Sequence, residues 1–260
     1  MKNIIKSQLF QLKKDKISIF TFIAIAVVGL LLVYMMYETN KLYDGVIIGG
    51  EEVARTFSMF ALLPQFFMYI FTAQSVGADF RDKTCNYEIM SGHTRLQVFF
   101  GRAIPTIIVS ALGTTMLMAI PGIAIAAIYG WGNTVSVADY IVRLLLMIFP
   151  VTRITCEFIL FSFIIRNPYV VMGLSYVGFM MLGINEAILK NYTPVLGFTT
   201  INNISTIDFW YTYGLDTDIR YIYETAMPAG DIVSIIVVSL LFAAAALYLG
   251  YVFFKNDDMH

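Results

Sequence analysis

Side chains able to do bond-making chemistry are scarce in this chain. It has two histidines, His93 and His260, and two cysteines, Cys85 and Cys156, and neither type is arranged at metal-ligand spacing. No Gly-x4-Gly-Lys-Ser/Thr phosphate loop and no His-Glu-x-x-His run occurs, so no nucleotide-binding or catalytic constellation is found. What remains is charge in two places. The stretch 79–102 carries Asp79, Thr84, Tyr87, Glu88, Ser91, Gly92, Thr94, Arg95 and Arg102. Arg153 and Glu157 stand four residues apart inside an apolar run and so share a helix face. An ionised group at mid-bilayer costs about 2.5–3.5 kcal/mol, so these two must avoid lipid. They either pair with each other or a neighbouring helix, or they line a polar route. Ser58, Gln65 and Thr72 recur at seven-residue spacing on another apolar stretch, facing either a route or a second helix.

The elements that must hold these groups are set by composition. Hydrophobic residues make up 58% of the 260 and charged ones 13%, far from the roughly 25% charge of soluble domains. Six apolar stretches, at about 17–37, 57–78, 103–128, 138–165, 168–189 and 231–254, approach the roughly 20 residues that cross a bilayer. Only helices satisfy their own backbone in lipid. The expectation is an all-α membrane protein of six transmembrane helices, with 1–260 as a single domain. The net charge of −1 suggests no nucleic-acid partner.

Placing Lys and Arg tests the topology. Eleven fall on one side, namely Lys2, Lys6, Lys13, Lys14, Lys16, Arg81, Lys83, Arg95, Arg102, Arg166 and Lys255, against four (Lys41, Arg55, Lys190, Arg220) on the other. Both termini are therefore expected in the cytoplasm. Ile5, Leu9 and Leu12 form an apolar stripe before the first span, predicting an interfacial helix on an anionic leaflet or a plain basic flank. Pro150, amid Thr152, Arg153, Thr155, Cys156 and Glu157, predicts a kinked or broken fourth span, and Pro121-Gly122 predicts a bend or early end in the third. Ser239, Ala243, Ala246 and Gly250 let another helix approach the last span closely. The segment 190–229 holds Tyr192, Phe198, Phe209, Trp210, Tyr211, Tyr213, Tyr221 and Tyr223, and is expected to seat at the outer interface as short helices or loops. Cys85 in a loop and Cys156 in a span differ in depth and read as free thiols.

Within 79–102, Lys83 to Met90 predicts about two helical turns, Gly92 ends them, and Thr94 caps a helix running into the third span. Helix, hinge, helix is the form a soluble motor could push on. The segment resembles the coupling region of type-2 ATP-binding-cassette permease subunits, which has an acidic residue, a Gly-Thr pair, a short helix, then Ser-Gly-x-Ser/Thr-Arg and a closing basic residue. Asp79, Thr84, Ser91, Gly92, Thr94, Arg95 and Arg102 follow that order, whereas Lys83 stands where the family has Gly. Phe254-Lys255-Asn256-Asp257 is similar to the family's Phe-x-x-Asp tail.

The resemblance implies a non-catalytic permease subunit with a cytoplasmic coupling helix between spans two and three. It implies partnership with two ATPase chains and a second or sister permease, ATP and Mg being held by the ATPases and no cofactor by this chain. The ATPase-coupling interface would comprise Asp79, Thr84, Tyr87, Glu88, Ser91, Gly92, Thr94, Arg95 and Arg102. The translocation path would draw on Ser58, Gln65, Thr72, Arg153 and Glu157. The expected setting is a bacterial plasma membrane, and the expected cargo antimicrobial peptide or hydrophobic drug-like molecules moving outward. An ion-gradient-driven secondary transporter, or a membrane sensor or assembly factor, is the alternative.

Overall fold

A computed structural model of the protein describes residues 1–42, 57–82, 84–132, 135–174, 176–177, 207, 211–213, 221–223 and 227–256. Among them the chain is helical apart from one short ribbon. Helix α1 (Lys2–Lys14) turns at Asp15 into α2 (Lys16–Leu42). Then come α3 (Phe57–Arg81), the seven-residue α4 (Thr84–Met90) and the 35-residue α5 (Arg95–Tyr129). A kinked pair, α6 (Val137–Leu146) and α7 (Ile148–Ile165), precedes a helical run over 168–174. Helix α8 (Ala229–Lys255) completes the bundle.

Among the described residues, four stretches are long and apolar enough to cross a membrane: Lys16–Met35, Arg95–Tyr129, Val137–Ile165 and Ala229–Lys255. They are consistent with a multi-pass membrane protein. The second expected span corresponds to α3, which carries Pro64, Gln65, Gln74 and Asp79 along its apolar course. Of the expected fifth span, only 168–174 and 176–177 are among the described residues.

The turn at Asp15 has a local cause. Its carboxylate accepts from the backbone N–H of Ile17 at 3.3 Å and of Ser18 at 3.1 Å, and from the Ser18 hydroxyl, capping α2 as α1 ends. The face of α1 that is buried is Ile4, Gln8 and Leu12, shifted from the Ile5–Leu9–Leu12 stripe; Leu9 is 43% exposed. Glycine explains the docking, since a Cβ at Gly101 of α5 would lie 2.8 Å from Ile4 Cγ2. Helix α1 thus packs against protein on one side and presents its lysines on the other.

The break in the fourth span lies at Met147, three residues ahead of Pro150. Pro150 sits in the first turn of α7, and having no N–H it cannot bond the carbonyl of Leu146, which ends α6 there. By contrast α5 runs as one continuous helix through Pro105 and Pro121, so the early end foreseen at Pro121-Gly122 is not formed. Gly122 instead makes room for the Tyr140 ring of α6, whose hydroxyl donates to the Met118 carbonyl at 3.3 Å. The small residues of α8 serve packing within the chain: Ser239, Ala243, Ala246 and Gly250 are all buried, and a Cβ on Gly250 would meet Phe99 at 3.3 Å.

Within 190–229 the described residues form an antiparallel ribbon, β1 (Tyr211–Tyr213) with β2 (Tyr221–Tyr223), pairing Tyr211 with Tyr223 and Tyr213 with Tyr221. Tyrosine, threonine and isoleucine favour extended backbone, which is why this stretch pairs where short helices or loops were expected. Tyr192, Phe198, Phe209 and Trp210 lie outside the described residues. Ile207 is buried and its carbonyl accepts from Arg143 Nη1 at 2.5 Å, fastening this segment to α6.

Candidate functional site: a buried arginine beneath a short helix

At one end of the bundle α3, α4 and α5 meet at a hairpin of helices whose caps are local. Thr94 and Gln97 form a capping box: the Gln97 N–H donates to Thr94 Oγ1 at 3.2 Å, and the Thr94 N–H donates to Gln97 Oε1 at 3.2 Å. Gly92, at φ 92°, supplies the left-handed residue that ends α4. Its N–H reaches the Ile89 carbonyl at 3.0 Å and that of His93 reaches Glu88 at 3.2 Å. The Ser91 hydroxyl donates to the Glu88 carbonyl at 2.7 Å.

Beneath this hairpin lies Arg102, only 1% exposed although fully charged in type. Its guanidinium pairs with Asp79 of α3 and takes Glu88 of α4 in a fork, Nη2 to Oε1 at 3.0 Å and Nε to Oε2 at 3.2 Å. Nη1 also donates to Gln8 Oε1 of α1 at 3.3 Å, and Gln8 Nε2 passes the contact to the Ser75 carbonyl at 3.1 Å. The Thr84 hydroxyl donates to the Asp79 carbonyl and carboxylate at 3.0 and 3.1 Å. One side chain therefore ties α1, α3 and α4 to α5. Buried charge is tolerable only with such complete pairing.

Arg95 does a second job at the same end. Its Nη1 donates to the carbonyls of Phe254 at 3.1 Å and Lys255 at 2.7 Å, satisfying the last turn of α8 with a cation where the helix dipole favours one. Phe254 is locked among aromatic rings, 5.0 Å from Phe163 and 6.3 Å from Phe99, and Phe80 stands 5.0 Å from Phe163. The outer surface of the hairpin is different in character: Tyr87 is 65% and Met90 83% exposed, with Ser91, Gly92 and Thr94 beside them.

Of the residues singled out in 79–102, Asp79, Thr84, Glu88 and Arg102 are therefore drawn into one cluster. Arg95 clamps α8, and Tyr87, Ser91, Gly92 and Thr94 stay at the surface. Lys83 lies outside the described residues. Gln8 and Ser75 are members of the cluster that the sequence reading missed. The available signal was a glutamine at four-residue spacing between Ile4 and Leu12.

Burial raises the Glu88 carboxyl above its usual range despite the guanidinium beside it. Its contribution to stability is thus greatest below the ordinary glutamate pKa and falls as pH rises through the raised value. Cys85, 1% exposed on α4, has its thiol pushed by burial, and secondarily by Glu88, from 9.0 to about 12. At neutral pH its thiolate fraction is roughly a thousandfold below that of a free cysteine. Maleimide should label neither Cys85 nor the equally buried Cys156 in the native protein and both after denaturation. Rapid native labelling at Cys85 would mean that α4 is not docked.

The second charged place is within α7. Arg153 Nε donates to Glu157 Oε1 at 2.9 Å, and the guanidinium carbon lies 4.0 Å from the Phe242 ring of α8. Gln65 and Thr72 are buried in α3, at 5% and 0% exposure, while the side chain of Ser58 lies outside the described residues. The polar positions of α5 form a ladder at four-residue spacing, Arg102, Thr106, Ser110 and Thr114, all buried. Ser110 shares a 2.9 Å hydrogen bond with Thr155 of α7, and Thr106 lies 3.4 Å from Ser75 of α3. The cluster and the α7 pair are separate, and no group of three metal-binding side chains occurs among the described residues.

A scan against protein-family models finds none that matches this chain, and a search of curated proteins likewise finds no match. The function must be argued from the geometry itself.

Proposed function

We propose that this protein is the membrane-spanning permease subunit of an ATP-driven transporter of the type-2 ATP-binding-cassette kind, and that the α4 hairpin is where a separate ATPase pushes. One observation carries the reading most: a short helix with an exposed Tyr87–Met90 face stands between two long helices and is braced from behind by Arg102. A braced surface helix transmits displacement to the long helices on either side without first deforming. Glu88 and Arg95 belong to the brace, and Tyr87 and Met90 to the contact face.

In this reading the working unit has two permeases and two ATPases, both termini and α4 lie in the cytoplasm, and α1 lies at the inner interface. The protein sits in a plasma membrane, and binding of ATP and Mg belongs to the partner. The cargo class that best suits a permease without large soluble domains is antimicrobial peptide or hydrophobic drug-like molecules, moved outward. The gate would form between copies, with the polar positions of α3 and the α7 pair nearest the path.

The test is affinity purification of the full chain from mild detergent, with mass spectrometry and an ATPase assay on the eluate. A stoichiometric ATPase is expected. Tyr87→Ala with Met90→Ala should weaken its capture by about tenfold or more, as exposed aromatic and methionine anchors do at interfaces, while the thermal midpoint stays within about 1 °C of the parent. A clean eluate after crosslinking in membranes, or unchanged capture in the double variant, would remove the basis for the reading.

A further inference from the structure

Three hydroxyls in the core of the bundle have no hydrogen-bond partner among the described residues: Thr72 of α3, Thr114 of α5 and Ser239 of α8. None is more than 1% exposed. A helical serine or threonine can spend its proton on the carbonyl one turn back, as Thr106, Thr155 and Ser162 do at 2.9, 2.8 and 2.8 Å. The three orphans do not. A buried hydroxyl without a partner is costly, and a ligand between the helices recovers that cost.

Their places on the helices bring them to two junctions. Thr72 lies three residues from Tyr69, whose ring meets Phe158 of α7 at 4.9 Å, and three from Ser75, whose hydroxyl is 3.4 Å from Thr106 of α5. It therefore stands on the edge of α3 that looks between α5 and α7. Ser110, one turn beyond Thr106, comes to the same gap from α5 and bonds Thr155 of α7 at 2.9 Å. Depth agrees, because this level is bounded on one side by Ser75 and Thr106 and on the other by Phe67, which a Cβ on Gly113 would approach to 2.7 Å. Thr155 has given its single proton to the Val151 carbonyl, so Ser110 donates in their bond and its own lone pairs stay open. A donor without an acceptor, Thr72, and an acceptor without a donor, Ser110, thus share one gap.

The second junction is one turn further along. Helices α5 and α7 run antiparallel, from the Phe99–Phe163 contact to the Ser110–Thr155 bond, which places Thr114 at the level of Val151. Ser239 begins the row of small residues on α8, where Ala243 and Ala246 pack with Cys156 of α7 beside Ile107 of α5. Helices α7 and α8 run parallel toward the Phe163–Phe254 contact, so the turn ahead of Ala243 lies beside the turn ahead of Cys156. Thr114 and Ser239 approach this place from different helices.

We infer that the bundle holds two internal water sites, one between Thr72 and Ser110 where α3, α5 and α7 meet, and one between Thr114 and Ser239 where α5, α7 and α8 meet. The first water accepts from Thr72 and donates to Ser110, and the second joins the other two hydroxyls. Water suits both places because it donates and accepts and is small enough for a closed core. A metal cation does not, since the hydroxyls carry no charge to offset its dehydration and Glu157 of α7 is committed to Arg153. With Thr106 and Ser75 the two sites extend the polar ladder of α5 from the Arg102 cluster to the middle of the bundle. They do not depend on an ATPase.

The experiment is X-ray radiolytic footprinting of the full chain in nonionic detergent, which makes hydroxyl radicals from water in place. Oxidation is read by mass spectrometry at Met68 and Met118, buried residues one helical turn from Thr72 and Thr114. Both should be oxidised in the native protein even with a radical scavenger in the bulk solvent. Thr72→Val should abolish the label at Met68 alone, and Thr114→Val at Met118 alone. Melting adds a test by sign. If the hydroxyls bond water, each valine removes a hydrogen bond and the midpoint falls by about 2–4 °C, whereas a dry hydroxyl is an unpaired polar group whose removal raises it. Unlabelled methionines in the native protein, labels that survive in both variants, or a raised midpoint in either variant overturns the inference. A parent midpoint that depends on Na⁺ or K⁺ at constant ionic strength also overturns it, in favour of a cation site.

Discussion

Arg102→Ala should be the most damaging single substitution in the described part of the chain, at about 3–5 kcal/mol, because it leaves Asp79 buried and charged with its partner gone. The loss is shared by four helices, since Glu88 and Gln8 lose their donor in the same step. For a chain of this size the midpoint in detergent should fall by about 10 °C or more. The cost comes from an uncompensated charge, so removing the charge should recover most of it. Arg102→Met combined with Asp79→Asn should melt closer to the parent than Arg102→Ala does. Glu88→Gln should be far milder, because the amide keeps an acceptor for Arg102 and removes a charge that burial already disfavours. A parent-like midpoint for Arg102→Ala would show that the cluster does not brace the hairpin.

Arg153→Ala should cost about 2–3 kcal/mol by losing both the Glu157 pair and the contact with Phe242. The smaller figure reflects a pair that is only partly closed off by protein, the Glu157 side chain being 33% exposed. A double-mutant cycle with Phe242→Leu isolates the ring's share, expected at about 1 kcal/mol. The same variant separates the two readings of this pair. A lowered midpoint with poor assembly assigns it to holding α7 against α8. An unchanged midpoint with altered cargo-stimulated ATP hydrolysis would assign it to the route, and the structural account would fail.

What could be read from the chain beforehand follows the range of the interactions involved. Gly92 and Thr94 act through their immediate neighbours, so the end of α4 and the start of α5 were legible from residue type. Pro150 was legible as a break but not its position, because a proline disturbs the turn before it and the break appears at Met147. Pro121-Gly122 does not end α5, for a different reason. Its consequence depends on Tyr140, eighteen or more residues away, filling the space that the glycine leaves. The cluster itself was half visible: Asp79, Glu88 and Arg102 are conspicuous charges, but nothing local to Gln8 indicates that it will turn inward to meet a guanidinium 94 residues later. Likewise Arg95 looked like a surface contact because its carbonyl partners carry no side-chain signature at all.

Those carbonyls lie 159 and 160 residues beyond Arg95, and this separation bears on how the chain comes to be made. Synthesis proceeds from the N-terminus, and the root of α5 emerges with Ile4 and Gln8 already available but the end of α8 still untranslated. From Arg95 until Phe254 is made the nascent chain therefore holds an arginine, and from Phe163 onward the Phe80–Phe99–Phe163 nest, without their closing residue. A ribosome that stops short of Phe254 releases a chain with an unsealed aromatic socket, which is the kind of surface that membrane proteases and chaperones retain. Completion of α8 is thus the event that seals this end of the bundle.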